Sequence, residues 1–112
     1  MKINAYEKGN VSIIEPSGKM MGGTDTGELD EKLYALLGRN KLNVILDLGK
    51  TEWMNSSGIA ILIHHWKKFQ DAGGHLRLAN LTQRIEKIMI IAKLTTVFEV
   101  FDTLDEAVKS FE

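Results

Sequence analysis

Leu46-Asp47-Leu48-Gly49-Lys50-Thr51-Glu52-Trp53-Met54-Asn55-Ser56-Ser57-Gly58-Ile59-Ala60-Ile61-Leu62 joins two kinds of secondary structure through one short polar loop. On its N-terminal side it closes the apolar run Leu42–Leu48, which reads as a strand buried on both faces. That pattern belongs at the centre of a sheet covered by helices. On its C-terminal side Ile59, Leu62, Ile63, Trp66 and Phe69 recur on one side of a helix. The helix stops at Ala72-Gly73-Gly74, where a glycine can take the left-handed conformation. The helix is expected to begin near Gly58, so Ser56 and Ser57 stand where backbone N–H groups lack partners. Ser57 is a candidate cap, and Asn55 suits the turn because its side chain can bond nearby backbone.

Outward from this stretch the elements alternate. Upstream, Lys2–Tyr6 and Val11–Glu15 read as strands, Pro16-Ser17-Gly18 breaks or bends the run, and Lys19-Met20-Met21 can resume it before a sharp turn at Gly22-Gly23. A helix follows, capped by Thr24 or by Asp25 with Glu28, and Leu29, Leu33, Leu36 and Leu37 give it an apolar face up to Gly38. Downstream come a strand over His75–Ala79, a helix turning Ile85, Ile88, Met89 and Ala92 inward, and a strand over Val97–Phe101. Thr103-Leu104-Asp105-Glu106 is a capping box for a last helix carrying Ala107, Val108 and Phe111. The order β-β-α-β-α-β-α-β-α predicts one α/β domain over residues 1–112, with a mainly parallel or mixed sheet of four to five strands flanked by about four helices.

Composition narrows the function. A chain of 112 residues with 44% hydrophobic and 26% charged residues is sized and balanced for one packed core. Fourteen basic against 15 acidic residues give a net charge of -1, so no global field gathers nucleic acid or an anionic membrane. The absence of cysteine removes disulfides, thiolate metal sites and thiol nucleophiles. The start, Met1–Glu7, has no apolar signal-peptide core, and no apolar stretch approaches the length that spans a bilayer, so a cytoplasmic chain without membrane insertion is expected.

The residues of catalysis are missing as a set. His64 and His65 point about 100° apart on a helix and cannot grip one metal as an i, i+4 pair can. Gly22-Gly23-Thr24 lacks both the lysine of a phosphate-binding loop and dinucleotide-fold spacing, so it reads as a tight turn. Lys67, Lys68, Arg77 and Arg84 read as solvated, and the glycosylation patterns at Asn55 and Asn80 have no consequence without secretion. Trp66 falls on the inward stripe; Trp53 either packs under the loop or stands out as an interaction anchor. No catalytic, cofactor-binding or metal-binding residue is assigned, and no enzymatic activity is expected.

An exposed serine hydroxyl at a helix start is a place where a phosphate, adding about -1.5 to -2 charges, is tolerated by the helix dipole. The stretch Leu46–Leu62 resembles the signature of STAS domains, and most of all the free-standing bacterial anti-sigma-factor antagonists, in its Asp47-Leu48 strand end, its Met54-Asn55-Ser56-Ser57-Gly58 loop and its aliphatic helix. The resemblance implies that Ser56 is phosphorylated by a partner anti-sigma factor that is itself a serine kinase. It implies further that the unphosphorylated form captures that partner and releases a sigma factor, and that a PP2C-type phosphatase resets the cycle. The implied partner surface is Trp53, Met54, Asn55, Ser56, Ser57, Gly58 and Ile59, and the chain needs no cofactor of its own. Asn55 stands where the family carries aspartate, and Gly18–Gly23 departs from the family's shorter turn. The alternative is a STAS scaffold module of a transporter or sensory complex that is not phosphorylated.

Overall fold

The alternation of apolar side chains along the central strands is what layers the molecule. In the computed structural model, which describes residues 1–112 apart from the side chain of Asp25, six strands and four α-helices form one mixed sheet with helices on both faces. The strands are β1 (Lys2–Lys8), β2 (Val11–Met20), β3 (Asn43–Asp47), β4 (Thr51–Met54), β5 (His75–Ala79) and β6 (Val100–Phe101). The helices are α1 (Gly27–Gly38), α2 (Ser56–Asp71), α3 (Gln83–Ile91) and α4 (Leu104–Lys109). The sheet runs β1-β2-β3-β5-β6, with β4 paired to β2; only β1 is antiparallel to its neighbour.

Successive residues of a strand point to opposite faces. Ile14, Val44, Leu46, Leu76 and Leu78 therefore meet Leu29, Leu33, Leu36, Leu62, Phe69, Ile85 and Met89 from α1, α2 and α3. Val11, Ile13, Ile45 and Ala79 point the other way, onto Ala107, Leu104, Val108 and Phe111 at α4. Burial on both faces is why β3 carries an almost unbroken apolar run, as its sequence predicts.

Several boundaries differ from expectation. The sheet has six strands instead of four to five because Thr51–Met54 is a strand and not part of a loop. Pro16-Ser17-Gly18 does not end β2. It carries a bulge, with Gly18 at φ +106°, where β2 changes its parallel partner from β3 to β4. The Pro16 carbonyl accepts the Thr51 hydroxyl at 3.0 Å, and Gly18 N–H donates to Lys50 O at 3.0 Å. At the start of α1 the cap position is Thr26, which makes no capping bond through its side chain, in place of Thr24; the expectation for Asp25 lies outside the described residues. The last strand shortens to Val100–Phe101 because Leu94–Thr96 forms a 3-10 turn that Val97 closes. Ala92 is exposed, beyond the end of α3.

The buried stripe of α2 is Gly58, Leu62, His65 and Phe69. Ile63, expected inward, is exposed, and Trp66 is half-buried against Phe98 with ring centroids 6.1 Å apart. His65 instead lies wholly inside, its Nε2 2.6 Å from Asp30 Oδ1 of α1, with the Tyr34 ring edge-on at 4.8 Å. With Nε2–H donating to the carboxylate, Nδ1 is left buried without a partner. Burial pushes the imidazole below its ordinary value of 6.5, outweighing the opposing pull of Asp30. The folded protein then binds this proton less readily than the unfolded chain. Stability is expected to be full above about pH 6.5 and to fall as the pH drops below it toward the folded-state value. Urea midpoints taken from pH 7.5 to 5.5 check this, and His65→Gln should flatten the decline.

Candidate functional site

Met54-Asn55-Ser56-Ser57 sits where β4 ends and α2 begins, and the end of β2 holds it in place. The N-terminal residue outside α2 is Asn55, with extended backbone at φ -101°. Its Oδ1 accepts from Gly58 N–H at 2.9 Å, and its carbonyl accepts from Ile59 N–H at 2.9 Å. Asn55, not Ser57, is therefore the cap, and the helix begins two residues earlier than its apolar periodicity suggests. Neither serine is needed to close the helix, and both are exposed.

The same asparagine bonds in the other direction. Its Nδ2 donates to Met21 O at 3.1 Å, and its backbone N–H donates to Met20 O at 3.2 Å. Met20 O also lies over Gly58, where a Cβ would fall 2.1 Å from that oxygen. Two residues after Met20, Gly22, at φ +82°, packs against Ser57, whose Cβ would be 2.5 Å from any Cβ at Gly22. Segment 20–22 therefore forms one wall of the loop. Ser57 is packed sideways against that wall, and Ser56 carries the freer hydroxyl.

A second brace comes from β3. Asp47 is buried, and its Oδ1 accepts from Gly49 N–H at 3.1 Å and from Asn80 Nδ2 at 3.2 Å. Leu48 N–H donates to Ala79 O at 3.0 Å, so the chain leaves β3 tied to β5 before turning into β4. On the α4 side of the sheet the Tyr6 phenol is raised above its ordinary 10.0, first by desolvation and then by the carboxylates of Asp47 and Glu15.

The implied partner residues divide in two. Trp53, Ser56 and Ser57 are exposed, and Asn55 and Ile59 are half-buried. Met54 and Gly58 are buried and shape the surface from beneath. Trp53 is 41% exposed beside α3 and is not packed away under the loop. Arg77 is not a solvated cation; it stacks 4.1 Å from the Phe111 ring centroid and bonds Ser110. The buried pairing of His65 with Asp30 was missed from sequence, although position 65 continues the spacing of Gly58, Leu62 and Phe69. Among the described residues, no cluster of three or more His, Asp or Glu is placed to hold a metal, and no helix is long and apolar enough to cross a membrane.

Known proteins resemble this arrangement. The STAS domain family matches residues 2–107. BtrV of Bordetella bronchiseptica, named as an anti-sigma factor antagonist, is 22% identical over 93 residues, covering 83% of this chain and 80% of its own. An anti-sigma factor antagonist from Mycobacterium paratuberculosis superimposes with a TM-score of 0.85 at 20% identity, over 97% of this chain and 92% of its own. The Bacillus cell fate determinant SpoIIAA in its phosphorylated form gives 0.78 at 14% identity, over 99% and 100% of the two chains. The anti-sigma factor antagonist SpoIIAA in its unphosphorylated form gives 0.75 at 13%, over 97% and 96%.

Removing the cap with Asn55→Ala should cost about 1–2 kcal/mol of stability. Gly58→Ala should cost about 1–3 kcal/mol through the clash with Met20 O, despite alanine's better helix propensity. Urea unfolding of each variant checks both values; a stabilised Gly58→Ala would mean that segment 20–22 yields freely.

Proposed function

The chain belongs to the STAS domain family, and we propose that it is an anti-sigma factor antagonist switched by phosphorylation of Ser56. The observation that carries this reading is the division of labour at the start of α2. Asn55 closes the helix and ties down segment 20–22, which leaves Ser56 exposed in the first turn. Ser56 makes no capping bond, so its hydroxyl can be esterified without disturbing the cap that Asn55 supplies.

In this reading the unphosphorylated surface around Trp53, Asn55, Ser56, Ser57 and Ile59 captures an anti-sigma factor, and a sigma factor is released. That partner is also the serine kinase, and it supplies nucleotide and metal, so this chain catalyses nothing and acts in the cytoplasm. Phosphate on Ser56 adds about -1.5 to -2 charges at the rim of the contact. The open N–H groups of the first turn accommodate it within this protein. At a packed interface the same charge is desolvated and repels acidic neighbours, so the complex separates. A PP2C-type phosphatase restores the binding form. SpoIIAA, with a similar fold, has been solved in both phosphorylated and unphosphorylated forms, which supports a switch that leaves the fold in place.

Incubation with ATP, magnesium and the anti-sigma-type kinases of the same organism should add one phosphate, mapped to Ser56 by mass spectrometry. Ser56→Ala should stay folded and bind the partner persistently, whereas Ser56→Asp should bind about 2–5 kcal/mol more weakly. Equal affinities for the two variants, or no phosphate with any kinase, would overturn the switch and leave a scaffold module.

A further inference from the structure

The outer face of α3 and the end of β4 enclose a groove of about 490 Å3 lined by Trp53, Gln83, Arg84, Lys87, Ile88 and Ile91. The inward face of α3 is already satisfied by Ile85 and Met89. Ile91 is nevertheless 82% exposed, and the neighbouring Ile90 54%. From Arg84 to Ile91 the stripe runs about 10 Å along the helix axis, enough for two turns of a helix or a few residues of extended chain.

The charges on this stripe have one sign. Arg84 and Lys87 flank the apolar floor, and among the described residues neither enters an ion pair. The single acid of α3, Glu86, lies on the helix's other flank, in a hollow shared with Ile90 and Asp102. The adjoining hollow at Arg84 holds Lys50 and one carboxylate, Glu52. An apolar floor supplies association energy, and unpaired cations at its rim select the sign of what docks.

We infer that this groove is a second docking surface, and that it takes a protein segment presenting apolar side chains flanked by carboxylates. The groove shares Trp53 with the surface around Ser56, but its cations and its α3 floor lie outside that surface, so the charge preference proposed for it does not depend on the Ser56 reading. Trp53 anchors the apolar side chains, while Arg84 and Lys87 pair with the carboxylates. A basic segment of equal hydrophobicity is rejected by like charge.

The test is a 1H–15N NMR titration of the full chain with a peptide of roughly 16 residues, leucine and glutamate at helical spacing, against its leucine–lysine counterpart. The acidic peptide should move the Trp53 indole, Ile88 and Ile91 signals and bind at least about tenfold more tightly than the lysine peptide. The double variant Arg84→Glu with Lys87→Glu should reverse that preference, and Lys2→Glu, on the far strand β1, should leave it unchanged. Equal binding of the two peptides, no movement at millimolar peptide, or movement confined to other signals would overturn the proposal. So would shifts of the groove signals with protein concentration alone, which would assign the face to a second copy of this chain.

Discussion

The Met20 carbonyl stands over the first turn of α2 at a distance that only a glycine beneath it allows. Gly58 supplies the absent side chain, and the Asn55 N–H binds the same carbonyl from the side. This contact fixes where β2 ends relative to where α2 begins. It requires β2 to run past its bulge at Gly18 and pair with β4, because only then does Met20 reach the helix. The glycine at position 22 follows from the same approach, since Ser57 fills the space its side chain would take. The loop is therefore a clamp between two elements far apart in sequence, with little freedom of its own.

Behind the clamp, α2 is held against α1 by a polar contact in an apolar setting. His65 bonds Asp30 and leaves one ring nitrogen without a partner, an arrangement that tolerates a neutral imidazole better than a charged one. Such a contact fixes the register of the two helices more sharply than another leucine would, because the bond has a direction. The Tyr34 ring packs edge-on to both His64 and His65, extending the contact toward solvent.

Periodicity exposed the skeleton of this fold. The double-sided burial of β3, the leucine stripe of α1, the glycine stop after α2 and the Thr103 cap of α4 were all legible, because each depends on residues close in sequence. What periodicity missed depends on partners far away. Pro16 and Gly18 are strand breakers by local rules, yet Pro16 pairs with Ile3 and accepts the Thr51 hydroxyl, and Gly18 adjoins a bulge between two parallel partners. Thr51–Met54 is too short and too mixed to announce a strand without β2 beside it. Nothing local to His65 announces its burial, which depends on Asp30 being brought to it by the packing of α1. At the candidate site the loop and its serines were legible, whereas the wall formed by segment 20–22 was not, because it depends on β2 reaching α2 from far away in sequence.

Asn55 serves the loop in two directions, and an aspartate in its place could serve only one. A carboxylate at position 55 could still accept from Gly58 N–H, and its charge would suit the helix start. It could not donate to the Met21 carbonyl, and two oxygens facing at that distance would repel. The amide does both jobs at once, capping α2 with its oxygen and holding segment 20–22 with its nitrogen. A glycine-flanked turn that lies against Ser57 is held in place by that tether. Asparagine at position 55 thus ties the Met20–Gly23 turn to the start of α2 through one side chain.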